Sequence, residues 1–580
     1  MRIVKSDEDL ANDQIDGFNI EIIPKNVGDI VEQAIEYRKK NVWNTSDGSV
    51  DVEDLPYKDK LGKIADDLHG HDLKTAILVD VDVDGFCSAA IIYKALKAIN
   101  NKLDIDTLLP NAKLHGIKAN IDLVKKDYDY LFLPDSSAND LHTIAELEKN
   151  GTKCIVIDHH ILEQESYLLD NPDKFLICSN QYQDSELDRN LTGAGMALLV
   201  TKLWKQKYDI ELNYDLAALG QIADMSNLDD KDIWEIVQKG LANMNSKMLT
   251  TFFEDDLELL TVKHLQFSLI PRINAVSRIG EHEDRELIFD ALIDQDELKP
   301  VSVRHKGQDG KFHTETVKMD VYERAKRTLD KVKGRQDRLV KKALRDVEFL
   351  TNRNDDFNVA VLDKKYDKGI SGLVANKMLG NTKQPTLVVK RNGERLDGSG
   401  RFPVTINGLQ LLQGVNAFAA GHEQAFGVGF KANQFDDVSE AIGIAVNDAP
   451  DYVYRVDEAL VNELPSVAEI RAIYQSSKTF RGAKDEPLIA VLGLKVEKQN
   501  ITLKNNWLKI TLGDIIVNDF NADEEIKRYV ESGFGDKCFS FICSAGFNFW
   551  TGRPIPTLTV EKLVKSDGVE VGVNKDNFIF

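Results

Sequence analysis

Four short apolar runs, each closing on a polar cluster, set the strongest limit on what this chain can fold into. They are TAILVDVDVDG at 75–85, YLFLPDSS at 130–137, KCIVIDHH at 153–160 and FLICSNQ at 175–181. An apolar run without polar alternation suits a strand buried on both faces, and such strands belong to parallel sheets. Segments of helical character lie between them, CSAAIIYKALKAI at 87–99 and DLHTIAELEK at 140–149. That alternation predicts an α/β domain with a doubly wound parallel sheet over roughly residues 60–230.

At 580 residues the chain exceeds one core and must divide further. Residues 231–350 are predicted to be mainly helical and to link two lobes, from DIWEIVQKGLANM at 232–244 to the basic stretch RAKRTLDKVKGRQDRLVKKALR at 324–345. That basic stretch reads either as the solvated face of a long helix or as a phosphate contact. Runs FNVAVLD and PTLVVK flank a helix, and glycine-rich loops follow them, so a smaller α/β domain is expected over 351–450. A linker over 451–479 leads to short strand-like pieces, among them ITLKNNWLKITL and CFSFICSAGF, which predict a small β-barrel over 480–580. Residues 1–59 form an N-terminal extension.

No run approaches the roughly 20 apolar residues of a membrane span. Residues 1–30 lack the pattern of a secretory signal, so the cytoplasm is the expected compartment. Five cysteines without CxxC spacing, Cys87, Cys154, Cys178, Cys538 and Cys543, read as reduced core residues. The formal charge of −22 argues on average against a polyanionic partner. An enzyme that holds metal ions nevertheless needs clustered carboxylates, and it can still place cations locally.

The carboxylates are indeed clustered. Asp80, Asp82 and Asp84 alternate directly after the first apolar run, and Gly85 follows. An extended segment of period two would put the three on one side, where their repulsion calls for a multivalent cation. A calcium loop or a solvated turn would fit the same residues. Asp135 closes the second run, and Asp158, His159 and His160 close the third. Open α/β sheets build their sites at these carboxyl ends of strands. Carboxylate and imidazole ligands without thiolate suit manganese or magnesium better than structural zinc. Asp224, at the end of the apolar segment ALGQIAD, is a further candidate ligand or a helix cap.

DVDVDG, LPDSS and VIDHH, in that order, resemble the motifs of the DHH phosphoesterase superfamily. NLTGAGMALLV at 190–200, GQIADM at 220–225 and IPRINAVSRIG at 270–280 resemble its RecJ branch of single-strand exonucleases. KGISGLVANKM, GSGRF and AGHEQAFGVGF resemble the DHH-associated domain, and the tail sits where that branch carries an oligonucleotide-binding (OB) barrel. The resemblance covers roughly residues 60–565. Ala420 stands where the family often has the first of two glycines, and Ile270 where RecJ usually has a glycine.

The resemblance implies a catalytic set of Asp82, Asp84, Asp135, Asp158, His159, His160 and Asp224, and two Mn2+ or Mg2+ ions. One ion would be held by Asp82 and Asp135 with Asp80, the other by Asp84, Asp135, His159 and Asp224. His160 would meet the phosphate or the leaving group. Asn274, Arg278, Ser399, Arg401, Gly421 and His422 would bind the substrate strand. The implied activity is 5′ to 3′ hydrolysis of single-stranded DNA by a monomer, with single-strand-binding or repair proteins as further partners. A DHH phosphodiesterase acting on short oligonucleotides or cyclic dinucleotides, and an inactive DHH scaffold, are the competing expectations. Trp507, Phe547, Phe549, Trp550 and Arg553 are the candidates in the tail for stacking on bases or meeting the backbone.

Overall fold

A computed structural model describes residues 14–567 apart from 16–17, 23–28, 112–113, 172, 255–256, 258–259, 307–310, 352–355, 451, 534 and 549–553. The chain forms two units. One consists of 42–337 with 481–484, and the other of the residues before 42, 338–480 and those from 485 onward.

The first unit is built on five parallel strands, β1 (Thr75–Leu78), β2 (Ile105–Leu108), β3 (Tyr130–Pro134), β4 (Lys153–Asp158) and β5 (Leu176–Ser179), in the order β2-β1-β3-β4-β5. All four predicted strands form. Strand β2 was hidden because it lies at the sheet edge with most of its residues part-exposed, so no apolar run marks it. The pairing Ile77 to Phe132 joins β1 to β3, and Phe132 to Ile155 joins β3 to β4.

Helix α1 (Val83–Ile99) is apolar around most of its circumference and buried almost throughout. A helix of that composition is stable only when enclosed on several sides. Here α2 (Gly193–Lys205) and α3 (Tyr214–Ala223) enclose it, and Phe86, Ile91, Leu198 and Leu219 share one core. Each such side chain contributes about 1.5–3 kcal/mol by burial. The chain runs from β1 to β2 on one side and then places β3 on the other, so the carboxyl ends of β1 and β3 meet at a switch point of the sheet.

The mainly helical reading of 231–350 needs correction. The stretch 231–350 carries helices, but it also carries an antiparallel hairpin of Lys299–Lys306 with Phe312–Met319. The alternation in KPVSVRHK and FHTETVKM is its sequence signal. The basic stretch lies in the helix Val321–Asp346. Its Ala325, Leu329 and Val332 are core residues, Arg272 pairs with its Asp330, and its Arg335 donates to the Ile279 carbonyl. Much of that helix is therefore structural.

In the second unit a six-stranded mixed sheet over residues 348–431 carries the helix Ser371–Thr382. The terminal region is an open seven-stranded sheet, and no closed barrel forms among the described residues. Its two edges, Glu458–Val461 and Ile501–Lys504, are four residues long and do not pair with each other, so the sheet cannot close. Residues 1–59 are not one extension either. Strand Phe18–Ile22 pairs in parallel with Val453–Val456, and Ile30 and Val31 pack into the core of the terminal sheet. Residues 42–59 belong to the first unit. All five cysteines are free, four of them buried.

Candidate metal centre

The acid cluster forms because only four residues, 79–82, separate β1 from α1. Asp80 is buried two residues past the end of the strand. Asp82 has extended backbone and caps α1, its Oδ1 accepting from Gly85 N at 3.1 Å. Asp84 lies in the first turn of α1, so the three acids do not lie on one continuous extended segment as expected. Gly85 is required for closeness: a Cβ there would come within 2.5 Å of the Asp80 carbonyl oxygen.

Asp84 is buried and points at the start of α2. Its Oδ1 accepts from Thr192 Oγ1 at 2.8 Å and Ala194 N at 3.1 Å, and its Oδ2 from Gly193 N at 2.7 Å. A helix N-terminus is a favourable place for a carboxylate. Burial nonetheless dominates and, helped by the charges of Asp224 and Asp82, pushes Asp84 up to about 6. Thr192 and the glycine start of α2 thus hold an acid of the cluster. A Cβ at Gly193 would lie 2.5 Å from the Asp135 side chain, and one at Gly220 would lie 2.2 Å from Asp84 Oδ1.

Asp135 follows β3 with φ +58, a left-handed conformation that few side chains adopt freely. Its amide donates to the Ile157 carbonyl at 2.8 Å, which fixes the turn. Its Oδ1 is buried without a hydrogen-bond partner and lies 3.2 Å from His159 Nε2. Burial first, then the charges of Asp84, Asp82 and Asp80, push its carboxyl well above the ordinary range. Strain and an unsatisfied acid at one position are features that structure retains where function needs them.

His159 Nε2 faces three carboxylates, Asp135 at 3.2 Å, Asp224 at 3.7 Å and Asp84 at 3.8 Å. Asp224 is the C-terminal cap of α3 and half exposed. Asp158 plays another part. Its Oδ2 accepts from Ala138 N and its Oδ1 from His159 N and from His160 Nδ1 at 2.7 Å, so its lone pairs are committed to holding the histidines. Burial alone would raise Asp158, but the His160 bond and the nearby imidazoles hold it below the usual carboxylate range. His160 feels the reciprocal effect: burial opposes its charge, yet Asp158 and then Asp224 and Asp80 push it up to about 9. With Nδ1 engaged, Nε2 is the nitrogen left for a ligand.

In each of two groups, Asp80 with Asp82 and Asp135, and Asp135 with His159 and His160, the ligand atoms all lie within 4.8 Å of one another. Asp135 belongs to both. The orphaned Asp135 Oδ1 and the carboxylate-imidazole donor set fit divalent Mg2+ or Mn2+.

Of the predicted strand-binding residues, Asn274 and Arg278 lie on the helix Ile270–Ile279 of the same unit. Arg278 is desolvated, which lowers its guanidinium pKa, while the charge of Asp82 acts to raise it. Ser399, Arg401, Gly421 and His422 lie in the mixed sheet of the other unit. Ser399 Oγ is 3.0 Å from Ser371 Oγ, and a Cβ on Gly372 would meet Arg401 Nη2 at 2.8 Å, so these residues gather at the start of the helix Ser371–Thr382. Gly421 and His422 pair with Phe426 and Ala425.

In the terminal sheet Trp507 is part-exposed, donates to Asn518 Oδ1 at 3.0 Å and lies parallel to the exposed Phe520, with centroids 6.5 Å apart. Phe547 instead packs into the core. Phe549, Trp550 and Arg553 lie outside the described residues.

Sequence reasoning missed His115. Its Nδ1 is 3.0 Å from Asp80 Oδ2 and its ring is 4.6 Å from that of His160. It follows β2, the strand that the apolar runs concealed, and recognising that strand would have offered its exit as one more place to look.

Residues 74–223 match the DHH family, N-terminal domain. Over 525 residues, 84% of this chain and 87% of the relative, the sequence is 27% identical to a putative SPbeta prophage-derived single-strand DNA-specific exonuclease, YorK, of Bacillus subtilis. It is 24% identical over 448 residues to the single-stranded-DNA-specific exonuclease RecJ of Thermus thermophilus, covering 73% of this chain and 59% of that one. The crystal structure of Thermus thermophilus RecJ in complex with Mn2+ superposes with a TM-score of 0.65 at 20% identity, over 93% of this chain and 76% of the other. The switch-point acids thus sit in the stretch that matches the DHH family, N-terminal domain, and the chain has the fold of the RecJ structure.

Proposed function

We propose that this chain hydrolyses single-stranded DNA from an end, with 5′ to 3′ polarity, using two divalent cations. The observation that carries the reading is Asp135, a buried carboxylate oxygen without a donor, held by a strained turn between Asp80 and Asp82 on one side and His159 on the other. In this reading Asp80, Asp82 and Asp135 hold one cation, and Asp84, Asp135, His159 and Asp224 hold the second. When bound, the two ions lower the pKa of water and neutralise charge building on the scissile phosphate.

The chain's own residues do the remainder. Thr192, Gly193 and Ala194 keep Asp84 fixed and ionised against its neighbours. Asp158 orients His160, whose Nε2–H donates to a phosphate oxygen or to the departing oxygen. Arg278 offers a desolvated cation beside Asp82, where a phosphate would relieve its lack of solvation. Ser399, Arg401 and His422 bind phosphates of the strand. The relatives named single-strand-specific exonucleases support DNA as the substrate.

The test uses end-labelled linear single strands and a single-stranded circle with Mn2+. Release of mononucleotides from 5′-labelled linear strands, with the circle spared, is expected. Rapid cutting of the circle would replace the exonuclease reading with an endonuclease.

A further inference from the structure

The hairpin Lys299–Lys306 with Phe312–Met319 leaves the helical part of the catalytic unit as a two-stranded ribbon that pairs with no other strand among the described residues. Such a ribbon is marginal alone, and its base is pinned. Lys94 pairs with Asp294 at 2.9 Å, Tyr322 donates to Asp294, Gln295 donates to Tyr93, and Met319 is buried.

Its two faces differ. The register puts Val301 opposite Val317, Val303 opposite Glu315 and His305 opposite His313, and the valines on this face are half-buried. On the other face Pro300 lies opposite Lys318, Ser302 opposite Thr316 and Arg304 opposite Thr314, with Phe312 beyond them. Every one of these is exposed, and among the described side chains this face holds two cations, three hydroxyls and an aromatic ring but no carboxylate. The Arg304 guanidinium lies over the Phe312 ring at 4.4 Å. Neither Arg304 nor Lys318 pairs with an acid among the described residues. Over 299–319 five basic residues stand against two acidic ones, in a chain whose net charge is −22.

We propose that this face grips the phosphodiester backbone of a DNA duplex flanking the single strand on which the metal centre acts. Cations and hydroxyls without acids are what a phosphate backbone selects. A two-stranded ribbon also has the width that a duplex major groove admits. Lys94 lies eleven residues along α1 from Val83, about 16 Å along the helix axis from the end that bears the acids. The ribbon therefore engages DNA outside the reacting centre. The inference rests on DNA being the substrate.

The experiment measures binding of the full chain in EDTA, where no hydrolysis occurs, to a duplex with a single-stranded 5′ tail and to a single strand of equal length. Arg304→Ala with Lys318→Ala should weaken binding to the tailed duplex by roughly tenfold and flatten its salt dependence by about two phosphates' worth, leaving the single strand unaffected. Arg304→Lys with Lys318→Arg should keep wild-type affinity. Unchanged affinity and salt slope on the tailed duplex would overturn the proposal, and so would an equal loss on the single strand. Hydrolysis of a short single-stranded oligonucleotide in Mn2+ is the separate check. Failure there in the wild-type chain would remove the nuclease reading, whereas an unchanged rate in the alanine variant is expected.

Discussion

The switch-point cluster and the open face of the terminal sheet handle polar chemistry in opposite ways. The first packs acids out of water, leaves Asp135 strained, and raises Asp84 and Asp135 against their own charges. The second displays Trp507 and Phe520 to solvent on a sheet whose core face is ordinary. Reaction requires groups fixed in an unfavourable state, whereas holding a long strand requires only accessible platforms. One region should therefore fail abruptly and the other by degrees.

The sharpest break is Asp135→Asn, which removes the charge but keeps a residue tolerant of left-handed φ. Turnover should fall by about 10³-fold, the upper range for losing one charge-stabilising group. The metal-free variant should melt above the wild type at neutral pH because repulsion within the cluster is relieved, as thermal unfolding in EDTA would show. A variant that retained both activity and melting temperature would erase the proposed contrast.

Next in size, Trp507→Ala should weaken binding to a long single strand by about tenfold, within the 1–3 kcal/mol that one stacking platform supplies. The rate on a very short oligonucleotide should not change. A substitution is a cleaner probe than removing the tail, because Arg481 belongs to the catalytic unit, where it lies over Trp43 and Trp234 and donates to the carbonyls of Leu228 and Asp229. If Trp507→Ala slowed the short substrate as well, the two regions would not be separable in function.

The smallest expected effect is on stability against pH. Asp84 titrates at about 6 in the metal-free fold and near 3.9 in an unfolded chain. The folded state then keeps a proton that the unfolded state has released, so stability falls as pH rises from about 4 to about 6. Mn2+ binds the ionised form, and its stabilising increment should grow across the same window. Melting curves between pH 4.5 and 7, with and without Mn2+, would reveal this as a shift of a few degrees. A shift independent of pH would place the titrating group elsewhere.

The legibility of the two regions follows from the same contrast. Asp80, Asp82, Asp84, Asp135 and His159 could be read because a buried parallel strand writes its limits as an apolar run, and an acid directly beyond such a run has few structural excuses. His115 escaped because β2 is a half-exposed edge strand. Phe520 escaped because an exposed aromatic after a strand resembles any loop residue. The barrel was misjudged for a topological reason: strand pieces of suitable length specify a sheet, while closure depends on which edges meet. The hairpin at 299–319 was overlooked because a long helical context on both sides outweighed a short alternation.

The strand Phe18–Ile22 pairs with Val453–Val456, about 430 residues later. During synthesis the catalytic unit, nearly continuous from 42 to 337, can complete its parallel sheet while the strand Phe18–Ile22 of the other unit still waits for its partner to emerge. The nuclease body would then be the early product of translation and the N-terminal strand among the last pieces to find its place.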